Sequence, residues 1–266
     1  WIMVLLLWGF CMVVFPPERK TIPGLRERAR HLHSRLGPIS RDEIVALVRE
    51  TVGWDVSLCI DHYGHGYMTA KEVIQLAKVL EPYGLAWMED PMPWDDVCGH
   101  KRVTDAVGVP IAAGENIYLW DGFREFIEQR AIDIIHPDLL TSGGMLETKK
   151  IADYAERFGM PTALHFAGSP IAFMANLHTA AAISSFVALE HHGLDLPFWN
   201  GLVTGLEDPL MVDGYVAVPD KPGLGVDLNL EGIEPCLRPF SGLFEPTDEW
   251  NTPKLGFWQP DRKWDK

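Results

Sequence analysis

The sequence predicts an α/β chain whose strands line up in one parallel sheet that curls toward a barrel. Three observations carry this. First, six short apolar runs each stop at an ionisable residue: residues 56–60 at Asp61, 85–88 at Glu89, 111–114 at Glu115, 132–137 at Asp138, 161–164 at His165 and 186–189 at Glu190. Second, the stops are evenly spaced, at intervals of 28, 26, 23, 27 and 25 residues. A strand–loop–helix unit takes roughly 30 residues, and eight of them about 250. Third, helix-start signals fall between the runs, so strand and helix alternate. A chain of 266 residues with one repeating period reads as one large TIM-type (β/α) barrel rather than two small domains.

The elements follow in order. Residues 1–15 are almost wholly apolar, too short for the roughly 20 residues of a membrane span and without the flanks of a signal peptide. They read as the end of a buried helix, a break at Gly9, and a strand over 10–15 closed by Pro16-Pro17; an anchor or an aberrant start are the other readings. Residues 18–36 read as a loop with a short helix. Ser40 and Glu43 form a capping box ahead of Ile44, Val45, Leu47 and Val48, and Thr69 and Glu72 form a second ahead of Val73, Ile74, Leu76, Ala77 and Leu80. A helix is expected near 121–129, another after Ser142-Gly143-Gly144 up to Arg157, and another from Gly168-Ser169-Pro170 through Ser184. Beyond Glu190 the period stops. Residues 208–229 are rich in Pro and Gly, with 215–218 as one expected strand, and the tail from Pro235 is expected to wrap the surface.

Composition narrows the function classes. A net charge of −14, from 37 acidic against 23 basic residues, argues against nucleic-acid binding. An anionic substrate stays open, because a bound cation inverts the local field. Cys11, Cys59, Cys98 and Cys236 are scattered and form no CxxC pair, which disfavours a disulfide framework or a zinc site and favours a reducing cytoplasm.

In a parallel barrel all strand C-termini open on one face, so Asp61, Glu89 and Glu115 can converge there. Three bare carboxylates repel, and a hard divalent ion removes the conflict; Mg²⁺ fits best. The competing reading makes each acid a helix cap or dipole partner, since helices start just after strands. Three successive rungs favour the metal. Asp138 and His165 end the next two strands, and a carboxylate beside an imidazole fixes its tautomer and raises its basicity, as a general base requires. The competing reading there is a core histidine bonded to a carbonyl. Glu190 faces the pocket from the other side. His178, His191 and His192 read as structural or surface residues.

Met88-Glu89-Asp90-Pro91, Gly114-Glu115, Pro137-Asp138 with Gly143-Gly144, His165, 188–192 and Pro222-Gly223-Leu224-Gly225-Val226 together resemble the mandelate racemase/muconate lactonizing enzyme branch of the enolase superfamily. Such sites use a Lys or His base and Mg²⁺ to stabilise an ene-diolate. The resemblance covers roughly 44–229. It implies substrates that are carboxylic acids, usually sugar acids. It implies Asp61, Glu89 and Glu115 as Mg²⁺ ligands, His165 as the base, Asp138 as its partner, and Glu190 as the acid that meets the substrate carboxylate. The departures are three. The α+β capping domain and the first barrel strand are read as missing ahead of residue 10, so about seven strands are expected. Residues 11–15 offer no lysine as a second base. Tyr63 stands where many members have Asn or His; its phenol is a candidate proton donor, with packing as the alternative.

The expected organisation is therefore a partial barrel over 1–205 and a C-terminal extension over 206–266 that packs on the barrel or on the absent cap. The expected activity is Mg²⁺-assisted proton abstraction α to a carboxylate, with sugar-acid dehydration as the net reaction. Racemisation or epimerisation, an inactive fragment, and a metal-binding scaffold without turnover are the alternatives. A small carboxylate substrate, a cytoplasmic location, no nucleic-acid or membrane partner, and a homo-oligomer for the full-length form complete the expectations.

Overall fold

A computed structural model describes residues 2–6, 11–15, 41–61, 68–193, 196–237 and 243, with side chains from Asp42 onward. Its main sheet holds β1 (Ile2–Leu6), β2 (Cys11–Phe15), β3 (Ser57–Asp61), β4 (Leu85–Glu89), β5 (Ile111–Ala113), β6 (Ile134–Ile135), β7 (Thr162–Leu164) and β8 (Phe186–Leu189), in chain order. From β3 to β8 every neighbouring pair is parallel. The helices between them are α2 (Ala70–Leu80), α3 (Val97–Thr104), α4 (Leu119–Glu128), α5 (Leu139–Ser142), α6 (Met145–Arg157) and α7 (Pro170–Ala182), and α1 (Arg41–Val52) leads into β3. Among the described residues β8 does not pair with β1, so six parallel strands make a curled, open half-barrel: the incomplete TIM-type barrel expected from the sequence.

The edge differs from expectation. β1 is a strand where a helix end was read, and β2 runs antiparallel to both β1 and β3 rather than joining the parallel set. A run of five apolar residues has too few turns for its period to separate helix from strand, and Ile2 and Val4 are β-branched.

Two hydrophobic layers follow from strand alternation. Leu58, Ile60, Met88, Ile111, Ala113, Ile135 and Leu164 face outward and pack on Val73, Ala77, Leu80, Phe123, Ile127 and Ile151 of the helices. The opposite parity contributes one residue per parallel strand to the interior: Cys59, Trp87, Ala112, Ile134, Ala163 and Ala188. Small residues at four of the six positions leave room for the Trp87 ring.

Local signals place the helices. Thr69 and Glu72 form the full capping box of α2. Ser169 caps α7, with Pro170 at its first position. α3 and α5 went unread: α3 spans only two turns, and α5 is a single turn begun by Asp138. Ser40 lies outside the described residues.

The buried Arg49 of α1 ties the first unit together. Its guanidinium donates to the carbonyls of Tyr83, Gly53, Val56 and Gly84, at 2.9, 2.9, 2.6 and 3.2 Å. Arg49→Ala leaves these acceptors without their donor and is expected to destabilise the chain by about 3 kcal/mol, read as a lower urea midpoint. Arg49→Lys should recover little, because an ammonium cannot span the fork. An unchanged midpoint for Arg49→Ala would refute the clamp.

After β8, a short 3₁₀ turn leads to β9 (Val203–Thr204), which pairs antiparallel with β10 (Asp227–Leu228), followed by α8 (Leu230–Ile233). The strand expected over 215–218 is not formed; Tyr215 makes only an isolated bridge with Val212. Leu206, Leu210, Val216, Leu224 and Val226 instead pack on Phe166, Phe173 and Trp199 at the β7–α7–β8 corner. Apart from Leu243, the tail beyond Leu237 lies outside the described residues. No described helix is long and apolar enough to cross a membrane.

Candidate active site

The site is the next interior layer. Two residues beyond the ring of Cys59, Trp87, Ala112, Ile134, Ala163 and Ala188 stand Asp61, Glu89, Gly114, His136, His165 and Glu190. A strand repeats its facing every second residue, so each of these continues its strand's inward parity. Register levels them: Asp61 pairs with Glu89, and Leu164 with Leu189 immediately before His165 and Glu190. Gly114 fills the one rung without a side chain because β6 passes too close; a Cβ there would sit 2.8 Å from the His136 carbonyl carbon.

His165 lies between two acids. Its Nδ1 is 2.7 Å from Asp138 Oδ2 and its Nε2 2.8 Å from Glu115 Oε2. Asp138 also accepts the Leu140 N–H at 2.7 Å through Oδ1, so one carboxylate both caps α5 and holds the imidazole. Glu115 accepts from Asn116 Nδ2 through its other oxygen. Glu89, 1% exposed, accepts the Trp87 indole N–H at 3.0 Å and lies 3.1 Å from His136 Nε2. Glu190 Oε2 is 3.6 Å from both His136 Nε2 and His165 Nε2 and accepts the Phe166 N–H; its Oε1 is 2.5 Å from His192 Nε2.

These contacts set the charges. Burial alone would pull His165 down, but its hydrogen bonds to Asp138 and Glu115 outweigh it and raise it well above the usual histidine range. His136 is raised in the same way, its burial outweighed by Glu89 and Glu190. Burial would raise Glu190, yet its bonds to His136 and His192 hold it well below the usual carboxylate range. Asp90 is the exception: burial, then the charges of Glu89 and Glu115, push it well above that range, and its Oδ2 has no partner.

Among the described residues, two triplets hold potential ligand atoms that lie within 4.8 Å of one another: Glu89–His136–Glu190 and His165–Glu190–His192. Neither is the expected Asp61–Glu89–Glu115 set. Side-by-side carboxylates repel, and Glu89 and Glu115 each turn to an imidazole instead. The expected set still fits a hard divalent ion chemically: all three offer carboxylate oxygens at successive strand ends, and Asp61 and Glu89 are buried cross-strand neighbours.

The structure thus joins Glu89, Glu115, Asp138, His165 and Glu190 in one network and sets Asp61 beside Glu89. Tyr63 lies outside the described residues. Two participants were missed. His136 was passed over because the apolar run was read through Pro137 to Asp138; continuing the alternation from Ile134 reaches it. His192 was read as structural or surface; it stands two residues after Glu190, so continuing the same alternation past the strand end reaches it.

The family described as Enolase C-terminal domain-like matches residues 27–232. A D-xylonate dehydratase of Haloferax volcanii is 42% identical over 203 residues, which is 76% of this chain and 48% of that protein. A D-gluconate dehydratase of Thermoproteus tenax is 31% identical over 194 residues, 73% of this chain and 38% of that protein. A mandelate racemase/muconate lactonizing enzyme-like protein from Rubrobacter xylanophilus superposes with a TM-score of 0.70 at 33% identity, covering 79% of this chain and 61% of that one. The chain spans about half the length of the dehydratases it matches, or less. By its matched residues, its half-barrel and the layer of acids and imidazoles at its strand ends, the chain belongs to the enolase superfamily.

Proposed function

We propose that this chain carries the catalytic barrel of a Mg²⁺-dependent sugar-acid dehydratase. The observation that supports it most is His165, fixed at Nδ1 by Asp138 and presenting Nε2 toward Glu115 and Glu190. The names of the two dehydratase relatives point to the same substrate class.

Asp61, Glu89 and Glu115 would hold the ion. When bound it supplies charge stabilisation for an enolate oxygen, the largest contribution expected at such a site. The chain's own residues do the rest. Asp138 sets the tautomer of His165, so that Nε2 meets the substrate. Were Glu115 to hold the cation, that nitrogen would be free of its carboxylate partner and could take the proton from C2. Glu190 meets the substrate carboxylate. The C3–O bond then breaks, and the leaving hydroxyl departs as water with a proton from His165 or Tyr63. The enol left behind becomes a 2-keto-3-deoxy acid.

Dehydration is favoured over racemisation because inversion needs a base on each face of the enolate. β2, from Cys11 to Phe15, carries no basic side chain. The test is an assay with Mg²⁺ over a panel of C5 and C6 sugar acids, on this chain and on any longer protein that contains it. A semicarbazide-reactive keto acid is expected. Racemised 2-hydroxy acid without keto product would overturn the dehydratase assignment.

A further inference from the structure

Buried carboxylates are held by donors, and one donor that holds Glu89 comes from the layer below the strand tips. Trp87 lies two residues before Glu89 on β4, in the interior ring, and both residues are closed off from water, at 5% and 1% exposed. The Trp87 indole N–H donates to Glu89 Oε2 at 3.0 Å. An indole nitrogen only donates and carries no charge, so it neither competes with a cation for the carboxylate nor repels one. The other oxygen, Oε1, is turned into the layer of acids and imidazoles, 3.1 Å from His136 Nε2.

The indole itself is fixed. Cys59 stands opposite Trp87 across the β3–β4 pair, as Asp61 stands opposite Glu89 one rung higher. Ala112, Ala163 and Ala188 leave the interior to the indole, whose ring centroid lies 6.3 Å from that of His136, tilted at 49°. Of the six side chains in the ring, only that of Trp87 has an N–H to give. A bicyclic side chain packed among small residues has little rotamer freedom. The hydrogen bond passes that order to Glu89, whose three side-chain torsions would otherwise have to be fixed when a ligand arrives.

We propose that Trp87 is a positioning residue of the metal site: from the layer below, its N–H fixes the Glu89 carboxylate, so that this ligand is already ordered when Mg²⁺ arrives. This rests on the proposed function, which makes Glu89 a ligand of that ion.

The test is Mg²⁺ calorimetry on the full chain with two replacements at this position. Trp87→Phe removes the N–H and part of the ring. The unnatural residue 3-benzothienylalanine, introduced in place of Trp87, keeps both fused rings and has sulfur where the N–H stood. Both should weaken Mg²⁺ binding about ten- to hundredfold, the scale on which residues that orient a metal ligand act. Only Trp87→Phe, which leaves a void, should also lower the urea midpoint. A loss of affinity with Phe that the sulfur analogue restores would make Trp87 a packing residue and overturn the assignment, as would unchanged affinity in both. The parent chain supplies a further reading. Among the indole ¹H–¹⁵N signals of its ten Trp, the one lost in Trp87→Phe should move on Mg²⁺ addition with the affinity that calorimetry gives. If Trp87→Phe does not fold, the analogue identifies the signal by the same loss. A signal that stays in place while Mg²⁺ binds would overturn the inference and leave the proposed ion standing. A parent that binds no Mg²⁺ would overturn the proposed function, and this inference with it.

Discussion

His165→Asn abolishes keto-acid formation in any version of this chain that turns over, with an expected loss in kcat of at least about 10³-fold. Removing a general base alone costs about 10²–10⁴. Here the same imidazole is proposed to take the C2 proton and also to protonate the leaving hydroxyl, so both steps lose their group. Asn is the informative replacement. Its amide can still donate to Asp138, whose side chain is 6% exposed and whose Oδ2 otherwise loses its partner. Binding should therefore survive while chemistry does not: KM for the sugar acid stays near the parent value and kcat falls. Asp138→Asn should give a smaller loss, because the imidazole remains but loses the partner that orients it. If His165→Asn kept more than a tenth of the parent rate, the base would have to be sought elsewhere, and His136, with its ring 5.6 Å away, would be the first candidate.

Glu89→Gln is expected to weaken Mg²⁺ binding by at least about a hundredfold. Residues that merely orient a ligand are worth about ten- to hundredfold in metal affinity, and a direct ligand should exceed them. Glu89 is the middle of the three proposed ligands, with Asp61 directly opposite across the β3–β4 pair. Gln keeps the shape and can still accept the Trp87 indole N–H. It removes the charge that faces His136 at 3.1 Å. The fold should therefore persist, so circular dichroism is the control and calorimetry with Mg²⁺ or Mn²⁺ the measurement. Unchanged affinity would show that the ion, if bound, uses other residues, and the Glu190 and His192 triplet would then be tested next.

Much of this site could be read from the chain because strand alternation is local. A run such as 85–88 needs no partner to show which side chains share a face, and the interval between strand ends follows from the length of one helix and two loops. Capping is equally local, since Thr69 and Glu72 satisfy backbone groups within their own first turn. That is why six strand ends, the longer helices between them and the ionisable residues at their tips were visible in order. It is also why the helix expected over the first residues went wrong: over five residues the two periods cannot be told apart.

What only the tertiary structure decided is which charge meets which. Glu115 and His165 lie on strands separated by β6, yet their side chains are 2.8 Å apart. Parity places both acids and imidazoles at the mouth but cannot say how each turns once there. That depends on register, including the shifts at Leu58/Cys59 and Thr162/Ala163 that level the strand tips. It also depends on Coulomb energy among groups that share one buried layer: carboxylates turn from one another toward His136, His165 and His192, and the first two imidazoles are drawn to their charged form. The chain alone determined a ladder of ionisable residues. The curl of the sheet turned it into a ring in which His136 meets Glu89 and Glu190, acids that end two other strands.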